Sequence, residues 1–498
     1  MSSENVTPTS DDDRDRQVRD LMKQLFGDRA DEMMERLREQ GMDPAAMVTA
    51  PGGRLPSPWE LQSALAQVRA MFAASGDDPV NSQVARDMAR QVSVSKGDPV
   101  VNAAQAKQVR DALSVAELWL DAATSFPPSG GGTHAWSRAE WVEATLETWH
   151  TLAAPVAASV ANGLATVMGG GAGEDRDGED DGPFASDHPD VSVGVLDEAG
   201  PGLKNLGLDG LSPSEVIRKV GSSAFGIQIG QAAGTLSQEV FGATDVGLPL
   251  LPGSGTALLP TNVTEFAAGL DAPLEEVFLF LAMREAAHAR LFAHVPWVRS
   301  HLLSLVDRYA RGIRIDLNAL ESQMRDIDPS DPSGIHKAMS SGGIFGVQPT
   351  EEQHATLLQL ETALALVEGW VDEVVAQAAL PHLPFAVSLR EMIRRRRAAG
   401  GPAEQTFASL VGLELRPRRS RDAATLMSHV YVAGGVEGRD AVWSHPDLLP
   451  DAGDLDDPAG YLARREAQSM ASADVDAALA AILAEADGED PGSEAGTG

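Results

Sequence analysis

The segment DAPLEEVFLFLAMREAAHARLFAHVPW, residues 271–297, constrains the fold of this chain more than any other. Asp271 and Pro273, followed by Glu275 and Glu276, read as a helix start with carboxylates at the positive end of the helix dipole. The apolar run 277–283 predicts a helix buried on most of its sides. Arg284, Glu285 and His288 then fall inside that buried stretch. Burying an unpaired charge is costly, so these three groups require partners from elsewhere in the chain, and such clusters are often functional.

The rest of the sequence reads almost entirely as helix. Ser57-Pro58 opens an amphipathic run to Met71, with Leu61, Leu65, Val68 and Met71 on one face. A second helical region covers 81–123, broken near Gly97 and Pro99. A third runs from Trp136 to about Val167, with Trp141, Leu146, Trp149, Leu152 and Val156 at helical spacing. That aromatic stripe is read as helix packing rather than as a ligand platform. Residues 213–241 carry Gly226, Gly230 and Gly234 at four-residue spacing, a smooth stripe that lets another helix approach closely. Gln228 and Gln231 favour soluble packing of this stripe over dimerisation in a bilayer. In DVGLPLLPGSGTALLP (245–260), two short β-like runs flank Pro-Gly-Ser-Gly and predict a lone β-hairpin. No internal repeat is evident.

Composition narrows the function classes. Of the 498 residues 43% are hydrophobic, enough for a sizeable core, and none is cysteine. Disulfide scaffolds, thiolate metal sites and cysteine nucleophiles are thereby excluded, and any metal must be held by His, Asp or Glu. A net charge of −34 argues against nucleic acid or an anionic membrane as partner. The sequence offers no run of about 18 apolar residues. Residues 1–13 have no apolar signal-peptide core, so a cytoplasmic location is expected. The Gly/Asp/Glu-rich stretch 169–190 predicts a flexible acidic linker, and 485–498 has the same character. The expected organisation is a disordered acidic N-terminus (1–18), an N-terminal helical region (19–168), a linker (169–200), a main domain (201–470) and a C-terminal helix with an acidic tail (471–498).

Spacing around Glu285 points to a specific chemistry. Zinc peptidases place two histidines four residues apart on one helix face, with a glutamate beside the first as general base. Glu285 and His288 occupy the positions of that glutamate and of the second histidine, while Arg284 stands where the first would be. REAAHARLFAHVPW, VEGWVDEV (367–374), GPAEQTFASLVGLELRPRR (401–419) and GVEGRDAVWSHPDLLP (435–450) together resemble an actinobacterial family described as hydrolases or zincin-like zinc-dependent metallopeptidases. The resemblance covers roughly 200–470, and AWSRAEW (135–141) extends it upstream. It implies a mainly α, zincin-like scaffold that acts on a peptide or protein. It also implies zinc, with Glu285 as the base that polarises a zinc-bound water, and His288 as a ligand. A downstream acid would complete the set: Glu368, with Asp372 one turn later on the same face, while His294 and His301 are further donors.

Arg284 departs from that pattern. A guanidinium keeps its proton and its charge, so it cannot ligate zinc and would repel it. Two readings follow. Arg284 forms a bidentate ion pair with Glu368 or Asp372 and takes over the charge role of the metal, leaving an inactive interaction protein. Alternatively, other histidines complete a working metal site. The ion pair is the favoured reading.

Other candidates have simpler explanations. Glu351–His354 repeats the Glu-x-x-His spacing and, with Glu239 and Glu321, would match a di-iron helical bundle. Glu351 follows Pro349-Thr350, however, where an acid is expected for helix capping. Arg390, 394–397, Arg416, Arg418, Arg419 and Arg421 form a basic island without interleaved aromatics, read as pairing with the surplus carboxylates of the same chain. Ser420 and Ser428 have no His/Asp constellation, GGVEG (434–438) lacks the lysine of a phosphate loop, and His445 before proline reads as a turn residue.

Overall fold

In the computed structural model, which describes residues 78–168, 213–312, 350–398 and 419–471 and a few isolated positions before 78, the described backbone is mostly helical. In chain order the elements are α1 (Ser82–Ser93), α2 (Ala103–Leu120), β1 (Gly132–Ala135), α3 (Arg138–Met168), α4 (Pro213–Ser237), β2 (Gly255–Leu258) and α5 (Pro260–Ala267). They continue with α6 (Leu274–His294), α7 (Pro296–Arg311), α8 (Glu351–Ala379), α9 (Ala386–Ala398), α10 (Ser420–Asp440) and α11 (Ala452–Asp456).

Local chemistry sets many of the boundaries. The Asn81 side chain accepts from the Val84 amide at the start of α1, and Gly97, at φ +85°, turns the chain before α2. Asn102 with Gln105, and Thr350 with Gln353, form reciprocal capping boxes on α2 and α8. The second Glu-x-x-His pair therefore sits at a capped helix start, and Glu351 and His354 are both exposed. Trp141, Leu146, Trp149, Leu152 and Val156 of α3 are all buried, so the aromatic stripe is core.

The glycine stripe of α4 lies on α1. A β-carbon on Gly226, Gly230 or Gly234 would fall 2.6 Å from the Asn81 carbonyl oxygen, 2.5 Å from that of Ala85, and 2.6 Å from the β-carbon of Val92. The two backbones thus approach to a distance that only glycine permits.

The expected hairpin at 245–260 does not form. β2 pairs in parallel with β1, from Gly132↔Gly255 to Ala135↔Leu258. The first of the two β-like runs is irregular instead, with Leu248 and Leu250 buried in the core. Strand β1 has mostly exposed side chains and no apolar alternation, so nothing local announces it as a partner.

Helix α6 runs through the middle of the fold. Fourteen of its residues, including 280–291 without a break, are buried. It packs on α2, α8 and β2, and one hydrophobic core joins residues from α1 through α11. The helices on either side of the 169–200 segment therefore share an interior. That segment, the tail 485–498, most of 57–71, Glu321, Arg416 and Arg418 lie outside the described residues. Among the described helices none is long and apolar enough to cross a membrane.

Alanine in place of a helical glycine ordinarily stabilises by about 0.5–1 kcal/mol. At Gly230 the sign should reverse. Gly230→Ala is expected to destabilise by about 1–3 kcal/mol, because the added methyl overlaps the α1 backbone. Chemical denaturation of the two proteins checks this.

Candidate charge-cluster site

Arg284 and His288 are one turn apart on α6 and point to the same face, towards α8, whereas Glu285 is rotated by about 100°. The trio divides accordingly. Arg284 Nη2 donates to Glu368 Oε2 at 2.7 Å, and His288 Nε2 donates to Glu368 Oε1 at 3.0 Å. A third cation arrives from α9, where Arg397 Nη1 lies 2.5 Å from the same Oε1. The other ring nitrogen of His288, Nδ1, donates to the Arg284 carbonyl at 2.8 Å. A carboxylate and a carbonyl are both acceptors, so each imidazole nitrogen is turned towards an acceptor of the same chain. Arg284, His288 and Glu368 are all buried.

Glu285 faces the other way, into a cage of donors. Its Oε1 accepts from the amides of Ala243 and Ala257, each at 3.1 Å. Its Oε2 accepts from the Thr244 amide at 3.0 Å and the Thr244 hydroxyl at 2.6 Å. Two donors per oxygen fill the lone-pair positions of a carboxylate, leaving none for activating a water. The remaining space between Thr244, Arg284, Glu285 and His288 is about 10 Å³, at the lower limit for a single water molecule.

Burial and partners act oppositely on the two acids. Burial pushes the Glu285 carboxyl above its usual range, only partly offset by the Thr244 hydroxyl and the Ala257 and Thr244 amides. Burial pushes Glu368 in the same direction, but Arg397, His288 and Arg284 overcome it and hold that carboxyl far below the usual range.

The sequence-derived candidates separate in space. Arg284 pairs with Glu368 and not with Asp372, through one N–H rather than the bidentate fork expected. Asp372 is held instead by Arg390, at 2.7 Å, and Arg394, at 2.5 Å. His294 stacks on Phe126 and reaches the Pro128 carbonyl at 3.3 Å. His301 meets Trp297 edge-on, and burial lowers its pKa. The basic island pairs within the chain: Arg396 lies 4.1 Å over the Phe241 ring, and Arg419 reaches Asp456 at 2.6 Å. Among the described residues, no group of three His, Asp or Glu side chains could hold a metal ion.

Sequence reasoning missed Arg397, Thr244 and two glycines. A β-carbon on Gly242 would fall 2.5 Å from Glu285 Oε2, and one on Gly247, at φ +80°, would lie 3.0 Å from Glu368 Oε1. The FGATDVG segment (241–247) carried the signal. Its glycines and small residues allow a backbone to close on two buried carboxylates.

The sequence profile of the zincin-like metallopeptidase family matches residues 80–462. A Chloroflexus aurantiacus crystal structure, provisionally described as a hydrolase with a novel fold, is similar in fold at a TM-score of 0.51 and 19% identity. That likeness covers 78% of this chain and 99% of the other. No curated protein matches significantly.

The opposite shifts of the two acids predict opposite pH signatures. A depressed carboxyl such as Glu368 stabilises fully above its unfolded value, about 4.3, and loses that contribution as pH falls towards its folded value. A raised one such as Glu285 does the reverse, losing its contribution as pH climbs above about 4.3. Measured against wild type at each pH, Glu368→Gln should therefore lose stability as pH rises towards 4.3. Glu285→Gln should gain as pH rises beyond it. Denaturation midpoints taken across the pH range give both signs.

Proposed function

Because the chain belongs to the zincin-like metallopeptidase family yet has guanidinium groups on the acid that a metal would need, we propose that it keeps the family scaffold without zinc-dependent peptidase chemistry and acts by binding a peptide or protein. One observation carries the reading: Glu368 receives Arg284, His288 and Arg397 together, so both oxygens of the acid expected to ligate are already engaged by side chains of the same chain. The residues present do not fit zinc. Two guanidinium groups adjoin the position, both imidazole nitrogens are turned towards acceptors of the same chain, and the acid expected to act as base is saturated by four hydrogen bonds.

Family membership favours a second reading, hydrolysis of peptide bonds centred on Glu285 and His288. That reading requires Arg284 and Arg397 to leave Glu368 and the imidazole to turn.

Zinc analysis of protein purified without chelator or tag-derived metal separates the two. The scaffold reading expects no stoichiometric zinc, and a full equivalent that disappears in His288→Ala would overturn it. Arg284→Ala should destabilise by about 3–5 kcal/mol, since it removes one partner of a buried pair. A near-neutral value would sink the ion-pair account. Arg284→His is expected to gain no tight zinc site while Arg397 remains on Glu368.

A further inference from the structure

A cavity of about 300 Å³ opens on the side of α6 near Glu285, between the irregular 249–255 segment and the start of α7. Leu250, Leu251, Ala289 and Phe292 form its apolar wall, and Thr244, whose hydroxyl holds Glu285, contributes to the same surface. Its volume is at the small end of ligand pockets. Arg299, on the first turn of α7, supplies the positive charge.

Arg299 is held by backbone carbonyls rather than by a carboxylate. The fully or nearly buried arginines 138, 284, 290 and 439 each touch a carboxylate. Arg299 touches none among the described residues, in a chain with 73 acidic residues against 39 basic ones. Its Nη1 donates to the carbonyls of Pro249, at 2.7 Å, and Leu251, which fixes the guanidinium plane against the loop. The Nε–H and both Nη2–H groups have no protein acceptor among the described residues. Half-buried, the group has its pKa pulled down by desolvation with no anion to counter it.

Nε–H and one Nη2–H form a parallel fork whose spacing matches the two oxygens of a carboxylate. The apolar wall beside it suits a hydrocarbon group, and the space admits a molecule no larger than a small metabolite or one terminal residue of a peptide. We propose that this cavity binds a small monocarboxylate carrying an apolar group, with the carboxylate on the fork of Arg299 and the apolar part against Leu250, Leu251 and Phe292. This assignment stands apart from the reading of the Glu368 cluster, and a finding of zinc there would leave it untouched.

Calorimetric titration of the full chain with N-acetyl-L-leucine and with hexanoate tests it, each against its uncharged amide. At least one acid should bind, and its amide at least tenfold more weakly; this comparison leaves the protein unaltered. Preference for the acetylated amino acid identifies the C-terminal residue of a peptide as the source, preference for hexanoate a free organic acid. Arg299→Gln should weaken the acid at least tenfold and leave the amide unchanged, while Arg299→Lys retains part of the affinity. Equal binding of acid and amide, displacement by chloride or inorganic phosphate at the same concentration, or no binding of either acid would each overturn the proposal.

Discussion

The arrangement of the interior depends on one carboxylate. Glu368 sits on α8 and meets a guanidinium and an imidazole from α6 and a second guanidinium from α9. Isolated in the core, any of these charges would be costly; together they offset each other. Such clusters add little net stability over an apolar core of the same shape, yet breaking one is expensive. Their effect here is selective. Any packing that slides α6 along α8 by one turn separates Arg284 and His288 from their acid, so the cluster fixes the register of the two most buried helices. The same rule is applied elsewhere on α6, where Arg290 takes Asp121 and the Glu117 and Phe126 carbonyls as partners. It applies again at Asp440, which receives Trp370, Thr124 and Ser125.

Helix geometry explains why three residues that look like one reaction centre behave as two units. Residues i and i+4 share a face, and i+1 does not. Arg284 and His288 therefore meet Glu368, while Glu285 meets the 242–244 backbone and β2. In a zinc peptidase the metal lies between the two histidines and the glutamate serves a water bound to it. Here a guanidinium occupies the first position, and the glutamate acts as an acceptor that pins a loop to a helix.

What could be read from the sequence was what periodicity and local chemistry encode. The helices of 81–168, the close-packed glycine stripe, the capped start of α8 and the need of Arg284 for an acid partner all follow from spacings of one to four residues. The failures involve distance along the chain. β2 finds its partner more than a hundred residues upstream in a strand with no apolar alternation, so Pro-Gly-Ser-Gly looked like a hairpin turn. Arg397 lies in a run of four arginines, and nothing local distinguishes the one that reaches Glu368 from Arg395, which pairs with the exposed Glu391. Gly242 and Gly247 matter only because carboxylates from two other helices close on them. A bidentate pair was expected from the shape of the guanidinium, but the arrival of Arg397 and His288 at Oε1 leaves Oε2 alone to Arg284.

The separation between charge cluster and cavity bears on what such a scaffold can do. The cluster encloses room for about one water, so substrate-sized molecules have no place beside His288. The 300 Å³ cavity has that room, and it is lined by the Arg299 guanidinium, the Thr244 hydroxyl already committed to Glu285, His294, Ser129, Ser254 and hydrocarbon. Thr244 is the physical link between the two, since it contributes to the cavity wall and to the cage of Glu285. A ligand that displaced the 243–244 backbone would strip donors from a buried acid, at about 1–3 kcal/mol for each hydrogen bond lost. The cage is thus a reason for the cavity to stay rigid, and rigidity suits a site that binds over one that must open to react.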